Sequence, residues 1–402
     1  MLFMSDTPWL TILGIGEDAP EGLSRASLAA LEDAEIVMGA ARHLALLPPC
    51  QAARVNWPVP FAEGIETLLG HRGKRVVMLA SGDPFWFGAG GSMMRHLAPG
   101  EWRTLPGVPT FSLAAGVMGW PLETTRCFGL HAAPLSRLRP ALAPGVRLIV
   151  LLRDGAAVPS LMDYLVKQGW GTSTISVLES LGGPNMRRSD MRADDAVGGA
   201  FAHPVCAAIE VAGPGIAMPL ASGRPDAFFD SDGTMTKQPV RALTLSALAP
   251  RPFEHLWDIG GGSGSIAIEW LLSDPSLSAT TIEQKPARAA RITANAAALG
   301  VDRLQVVEGA APAALEGLTR PDCVFVGGGL SQPLLDWLEA ILPAGTRLVA
   351  NAVTLESEAL LLKAHERHGG DLLRIELARA APLGSGRGWK ASYPIVQWSV
   401  TL

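Results

Sequence analysis

The chain predicts an α/β fold, and its second half predicts one parallel, doubly wound sheet. Five short apolar runs, at 256–259, 280–283, 304–308, 323–326 and 347–350, alternate there with segments of helical period. Strands buried on both faces carry unbroken apolar runs, and alternation with helices joins them by right-handed parallel crossovers. The first run passes into Asp258-Ile-Gly-Gly-Gly-Ser-Gly264, a glycine loop between a strand and a helix. The first half repeats strand–turn–helix units less evenly, which predicts a second α/β region.

Taken in order, residues 10–15 are an apolar strand ending in Gly14-Ile-Gly16, with a helical pattern following over 23–34. A strand at 76–79 runs into Ser81-Gly-Asp-Pro84, and further strands fall at 147–152, 174–177 and 205–211. The Gly/Pro-rich stretch 213–233 lacks periodicity and reads as a linker, so the expected domains are 1–212 and 234–402. In the second domain a helix over 265–272 follows the glycine loop. The helix over 287–299 has Pro286 at its first turn and Gly300 just past its end. Proline suits a helix start, where its missing N–H has no partner to lose, and glycine suits the left-handed stop. Leu334, Leu335, Leu338 and Ile341 mark the apolar stripe of a third helix. Two β-like runs, 372–377 and 395–400, close the chain.

A chain of 402 residues exceeds one ordinary core and implies at least two domains. Hydrophobic content of 48% with 18% charged residues describes a folded globular enzyme. The net charge of -5 provides no general attraction for nucleic acid or an anionic membrane. Cys50, Cys127, Cys206 and Cys323 stand far apart, which argues against a disulfide framework and a thiolate metal site. His365 and His368 lack an accompanying acid or cysteine, so they read as a solvated helix end and no metal is expected. Residues 1–10 lack a leader pattern, and no apolar run is long enough to cross a bilayer. The expectation is a cytoplasmic protein with no membrane and no nucleic-acid partner.

The chemistry starts at the glycine loop. Gly260, Gly262 and Gly264 let main chain approach a ligand closely, with Gly261 and Ser263 completing the loop. The helix start behind it offers free N–H groups to a carboxylate. Asp258 places a negative charge where a ligand ammonium can sit. A ligand carrying both charges is an amino acid, and S-adenosylmethionine fits. Glu283 ends the next strand, where an acid binds ribose hydroxyls. A nicotinamide dinucleotide uses the same ribose acid, although Asp258 would repel its pyrophosphate. Gly309, Ala310 and Ala311 end the third strand with small side chains that leave room for a flat ring, and a simple turn accounts for them equally well. Gly327 and Gly328 follow the fourth strand at the edge where the crevice opens, and read either as a substrate-facing loop or as an ordinary flexible connector. Thr236 is expected to cap a helix from 237 to 248, with a hydroxyl that can also close over the cofactor. In the first half, Gly14-Ile-Gly16, Ser81-Gly-Asp-Pro84 and Pro106-Gly-Val-Pro-Thr110 are three strand-end turns. Each alone is compatible with an ordinary β-turn. Three together point to a ligand cleft.

Leu13-Gly-Ile-Gly16, Ala80-Ser-Gly-Asp-Pro-Phe85, Pro106-Gly-Val-Pro-Thr-Phe-Ser112 and Gly119-Trp-Pro-Leu122 resemble the tetrapyrrole methylase family, over roughly residues 8–212. Residues 228–402 resemble class I methyltransferases of the precorrin type, on Met235-Thr-Lys237, Arg241-Ala-Leu243, the 258–264 loop and Gly309-Ala-Ala-Pro312. The tandem is similar to the two-domain precorrin methyltransferase/decarboxylase family of cobalamin biosynthesis. That resemblance implies a two-lobed first domain with one S-adenosylmethionine in its cleft, near Gly14, Ser81, Gly82, Asp83 and Thr110. It implies a Rossmann-like second domain with an antiparallel seventh strand and a second S-adenosylmethionine site. The first domain would methylate carbon 5; the second would methylate carbon 15 and decarboxylate the ring C acetate. Lys237 and Arg241 are the candidate partners for substrate carboxylates. Ala310 replaces an acid that many class I enzymes hold near adenine, which leaves main-chain groups for that task. The catalytic acid or base stays unknown. Two other readings stay open, an NAD-dependent dehydrogenase on the Gly260 loop and a non-catalytic tetrapyrrole carrier. The expected partners are a small-molecule tetrapyrrole and further copies of the chain in a homo-oligomer.

Overall fold

The computed structural model describes residues 8–196 and 198–402. Residues 1–7, which bear most of the leader expectation, lie outside the described residues. The chain divides into two compact units. The first takes the described residues up to Ala133 together with Ala143–Ile216, and the second takes Pro134–Leu142 and Ala217–Leu402.

The first unit contains two five-stranded sheets. One comprises β1 (Leu10–Ile15), β2 (Ile36–Gly39), β3 (Ala53–Asn56), β4 (Val76–Ser81) and β5 (Trp102–Leu105) in the order β3-β2-β4-β1-β5. All its pairings are parallel. The apolar run of β1 alternates between two cores. Leu10 and Ile12 pack with Met38 and Met78, whereas Leu13 and Ile15 pack with Val37 and Val77. A strand buried on both faces needs that continuous run. Because β4, β1 and β5 are parallel neighbours, the turns that follow them share one carboxyl edge.

The other sheet comprises β6 (Thr125–Gly129), β7 (Arg147–Leu151), β8 (Thr174–Glu179), β9 (Arg187–Arg192) and β10 (Val205–Glu210) in the order β6-β7-β10-β8-β9. Only the β6–β7 pair is parallel. Five strands of this unit, β2, β3, β5, β6 and β9, were not among the sequence expectations. β3 and β9 expose most of their polar side chains and so lack an apolar signature.

In the second unit seven strands form one sheet: β11 (His255–Ile259), β12 (Ser278–Glu283), β13 (Gln305–Glu308), β14 (Cys323–Val326), β15 (Arg347–Ala352), β16 (Asp371–Ile375) and, after a hairpin, β19 (Ile395–Thr401). Their order is β13-β12-β11-β14-β15-β19-β16, and β19 runs antiparallel to both neighbours. The hairpin, β17 (Ala378–Leu383) with β18 (Gly386–Ala391), stands apart as a two-stranded ribbon. Leu256 and Phe325 enter one core while Trp257 and Val326 enter the other, so both sheet faces are covered. The helices Ser265–Ser273, Pro286–Ala298 and Gln332–Ile341 lie within two residues of their expected bounds. Among the described residues no helix is long and apolar enough to cross a membrane.

Thr236 does not cap the helix that follows it. That helix is Gln238–Leu248, Lys237 is its N-cap residue, and no local side chain makes a cap bond. The carboxylate of Asp226 takes the Gln238 N–H instead, at 3.0 Å. An acid from outside the local sequence thus serves an exposed helix donor. Within 213–233, Arg224 and Phe229 are buried and Asp226–Phe228 forms a 3-10 turn.

Candidate functional site

In the first unit the three glycine turns meet. A side chain on Gly14 would run into the Gly82 carbonyl and the Gly107 amide, and Gly107 N–H donates to the Gly82 carbonyl at 3.0 Å. Gly82 holds φ +53°, a conformation that glycine adopts without strain. The turns border a cleft of about 570 Å³, which Gly16, Ser81, Gly82, Asp83 and Thr110 line while Gly14 packs behind. Thr110 opens the helix Thr110–Met118, whose cap residue Pro109 makes no side-chain cap bond. Asp83 turns one carboxylate oxygen onto the Phe85 N–H at 2.8 Å.

Sequence reasoning missed the polar side of this cleft. Ser81 Oγ lies 2.9 Å from His43 Nε2 and accepts from Arg42 Nη2 at 3.2 Å. Arg42 also pairs with Glu17. His43 is buried, and burial first, then the positive charges of Arg42 and His203, push its imidazole down to about 4. It is therefore neutral at pH 7. These partners meet across 38 residues of chain, so no local motif announces them.

The second unit builds its site at the carboxyl end of β11. Gly260, Gly262 and Gly264 have φ of +76°, +62° and +77°. A Cβ on Gly260 would lie 2.6 Å from the amide of Gly328, which brings the 327–328 turn against the loop. Gly327 N–H donates to the Ile259 carbonyl at 2.9 Å. A Cβ on Gly261 would strike the Thr281 side chain.

Asp258 lies beneath this loop and is 1% exposed. Its Oδ2 accepts from Ala267 N–H at 3.3 Å and from the Thr281 hydroxyl at 3.4 Å. Its Oδ1 has no partner among the described residues. Burial pushes this carboxyl up to about 7, the two hydrogen bonds oppose the rise, and the Glu283 charge adds to it. Glu283 braces the loop from the next strand. Its Oε2 accepts from Gly262 N–H at 2.9 Å and its Oε1 from Lys285 N–H at 3.0 Å. Gly309 donates its N–H to the Glu283 carbonyl at 3.0 Å, which sets Ala310 and Ala311 beside that strand end.

A strap crosses the loop. A Cβ on Gly262 would come within 3.0 Å of the Thr234 carbonyl. Arg288 holds the strap through Asp232 at 2.7 Å and Thr234 at 2.8 Å. Asn295 ties the Ser263 carbonyl and the Asp230 carbonyl together, each at 2.9 Å. Ser263 is buried and its hydroxyl has no partner among the described residues.

The two cationic candidates separate. Lys237 is exposed at the helix start. Arg241 is fully buried, which corrects its expected role toward substrate. Its guanidinium pairs with Glu269 at 2.6 Å and Asp226 at 3.1 Å, and also donates to the carbonyls of Thr236 and Arg224. Arg224 completes a buried network on Glu269 at 3.3 Å. These bonds occupy four of the five N–H donors, and full burial keeps the guanidinium away from a ligand.

Residues 10–195 match the family described as Tetrapyrrole (Corrin/Porphyrin) Methylases, and residues 227–402 match the family described as Precorrin methyltransferase domain. A Sinorhizobium protein named precorrin-6Y C(5,15)-methyltransferase (decarboxylating) is 49% identical over 98% of this chain and 97% of its own. A Mycobacterium tuberculosis (strain CDC 1551) protein of the same name is 40% identical, over 98% of this chain and 99% of its own. A Salmonella typhimurium protein named cobalt-precorrin-6B C(15)-methyltransferase (decarboxylating) is 36% identical over 40% of this chain and 85% of its own. Identity of this extent along both units, on the two folds just described, means that the chain belongs to the precorrin-6Y C(5,15)-methyltransferase (decarboxylating) family.

Proposed function

We propose that this chain methylates a precorrin at carbons 5 and 15 and removes the carboxyl group of its ring C acetate, with S-adenosylmethionine as donor at two separate sites. The carbon 5 transfer is assigned to the domain 1–212, and the carbon 15 transfer with decarboxylation to the domain 234–402, with 213–233 as a linker whose residues from Ala217 on pack with the second unit. The name of the Salmonella relative, which carries the C(15) step alone and matches only 40% of this chain, supports that division.

The observation that carries the reading is the joining of a bare glycine loop to a buried carboxylate whose Oδ1 has no partner among the described residues of the second unit. The donor group fits there by its charges. Asp258 Oδ1 would take the ammonium, the N–H groups at the start of helix Ser265–Ser273 would take the carboxylate, and Glu283 would take ribose hydroxyls. Gly309, Ala310 and Ala311 would flank the adenine. In the first unit Ser81, Gly82, Asp83 and Thr110 would hold the second donor, with Gly14 allowing the turns to close behind it. When bound, the donor supplies a methyl group already activated on a sulfonium. The protein's task is then to orient the macrocycle in line with that group and to exclude water. Lys237 and the 327–328 turn would meet the tetrapyrrole at the second site.

Full-length chain, incubated with precorrin and isotopically labelled donor, is expected to deliver two labels to the macrocycle and release carbon dioxide, read by mass spectrometry. Binding of NAD without any response to S-adenosylhomocysteine would identify the dehydrogenase instead. Donor binding without label in the product would identify a carrier. The reading retains a homo-oligomeric assembly, which light scattering in solution measures.

A further inference from the structure

The first unit's cleft contains a cation that holding the methyl donor does not require. Arg153 follows β7, whose last residue Leu151 pairs with Gly129 of β6 and with Cys206 of β10. These three strand ends bring Arg153, His131 and His203 to one edge of the second sheet, and all three line the cleft. Arg153 is exposed, and its Nε–H donates to the main-chain carbonyl of His131 at 3.2 Å. Among the described residues no carboxylate is within ion-pair distance of it. The other cleft arginine differs, because Arg42 is already paired with Glu17.

The first lobe supplies a contrasting surface. Val59 is 94% exposed, Val108 56%, Phe87 50% and Trp86 37%, and all four line the same cleft. Large apolar side chains gathered around one cavity mark a binding surface rather than ordinary scatter. An apolar wall with an unpaired guanidinium in the same cleft suits a flat, greasy body with anionic side arms. A reduced tetrapyrrole bearing acetate and propionate groups has that form. In the proposed reading, the donor's own carboxylate would be met on the first lobe, by the glycine turns and the helix start at Thr110.

We infer that Arg153 recognises a peripheral carboxylate of the tetrapyrrole and so determines specificity for the methylation carried out in this cleft. The inference rests on the proposed reading of the cleft as the carbon 5 site. A guanidinium presents two parallel N–H groups to a carboxylate, so the contact orients the macrocycle as well as holding it.

The test uses full-length R153Q and R153K with precorrin substrate. R153Q is expected to raise KM for the carbon 5 transfer roughly ten- to a hundredfold, the loss of one charge-assisted contact, with kcat nearly unchanged. At low substrate the product lacking the carbon 5 methyl accumulates, while carbon 15 methylation proceeds as in the wild type. R153K recovers part of the loss, since it keeps the charge and loses the two-pronged geometry. Affinity for S-adenosylhomocysteine and the melting temperature are expected to match the wild type, because Arg153 is exposed and anchors one carbonyl. An unchanged KM, or a fall in S-adenosylhomocysteine affinity in R153Q, would overturn the inference; the second result would assign Arg153 to the donor. A wild-type chain that never methylates carbon 5 would instead overturn the reading of the cleft itself.

Discussion

Each candidate site holds one buried titratable group pushed far from its ordinary value, and acid acts on the two in opposite directions. His43, beside the first unit's cleft, is pushed down to about 4 from an ordinary value of 6.5. Between those values the unfolded chain binds the extra proton, so His43 contributes stability that is lost as pH falls through this window. Asp258, under the second unit's glycine loop, is pushed up to about 7 from 3.8. There the folded chain binds the extra proton, and stability is lost as pH rises from about 4 to about 7. The difference teaches how each site is built. The first is an open cleft whose imidazole is neutral and already bonded to Ser81. The second is a closed loop over an acid that lacks a cation, a state that a bound ammonium would relieve.

The largest expected effect separates the two units outright. Asp258→Ala should reduce carbon 15 methylation and decarboxylation by about two orders of magnitude or more while sparing carbon 5, because a bound ammonium would lose its buried counter-charge. Asp83→Ala should spare carbon 15. Product mass spectra decide this, and loss of the same methyl group in both variants would break the comparison. Next in size is Gly260→Ala. A left-handed backbone costs an alanine about 1–2 kcal/mol, and overlap with Gly328 adds roughly 1–3 kcal/mol. Urea unfolding should therefore show a loss near 3 kcal/mol, and a loss under 1 kcal/mol would mean that the 327–328 turn yields.

Asp258→Asn sharpens the contrast in pH dependence. Removing the buried charge should raise stability by on the order of 1–3 kcal/mol at pH 8 and leave it unchanged near pH 4. Thermal melts at both pH values measure it, and an equal shift at both would remove the charge as the cause. His43→Gln is the smallest effect. It should flatten the loss of stability between pH 6.5 and 4 by on the order of 1 kcal/mol.

Much of the second unit was legible because its strands announce themselves. Leu256, Trp257 and Ile259 are apolar on both faces, and glycines directly follow β11, β13 and β14. The β17–β18 hairpin escaped detection because its residues, Ala-Arg-Ala-Ala-Pro-Leu and Gly-Arg-Gly-Trp-Lys-Ala, show no alternation and bury almost nothing. The turns at 14–16, 81–84 and 260–264 were readable for the same local reason, since each follows an apolar run; the 106–110 turn follows Trp-Arg-Thr-Leu, which is not one. Side-chain pairing across distance was not. Arg241 reads as a free cation until Glu269, 28 residues on, comes beneath it. Thr236 reads as a cap until Asp226 arrives from upstream. Arg42, His43 and Arg153 carry no spacing that points to a shared cleft, because the turns between their strands set their meeting.

The proposed chemistry requires two independent donor sites, one in each unit. Isothermal titration of the full-length chain with S-adenosylhomocysteine tests this directly. Two equivalents are expected for the wild type and one for Asp258→Ala, with the remaining affinity unchanged. A single equivalent in the wild type, or loss of all binding in that variant, would contradict it.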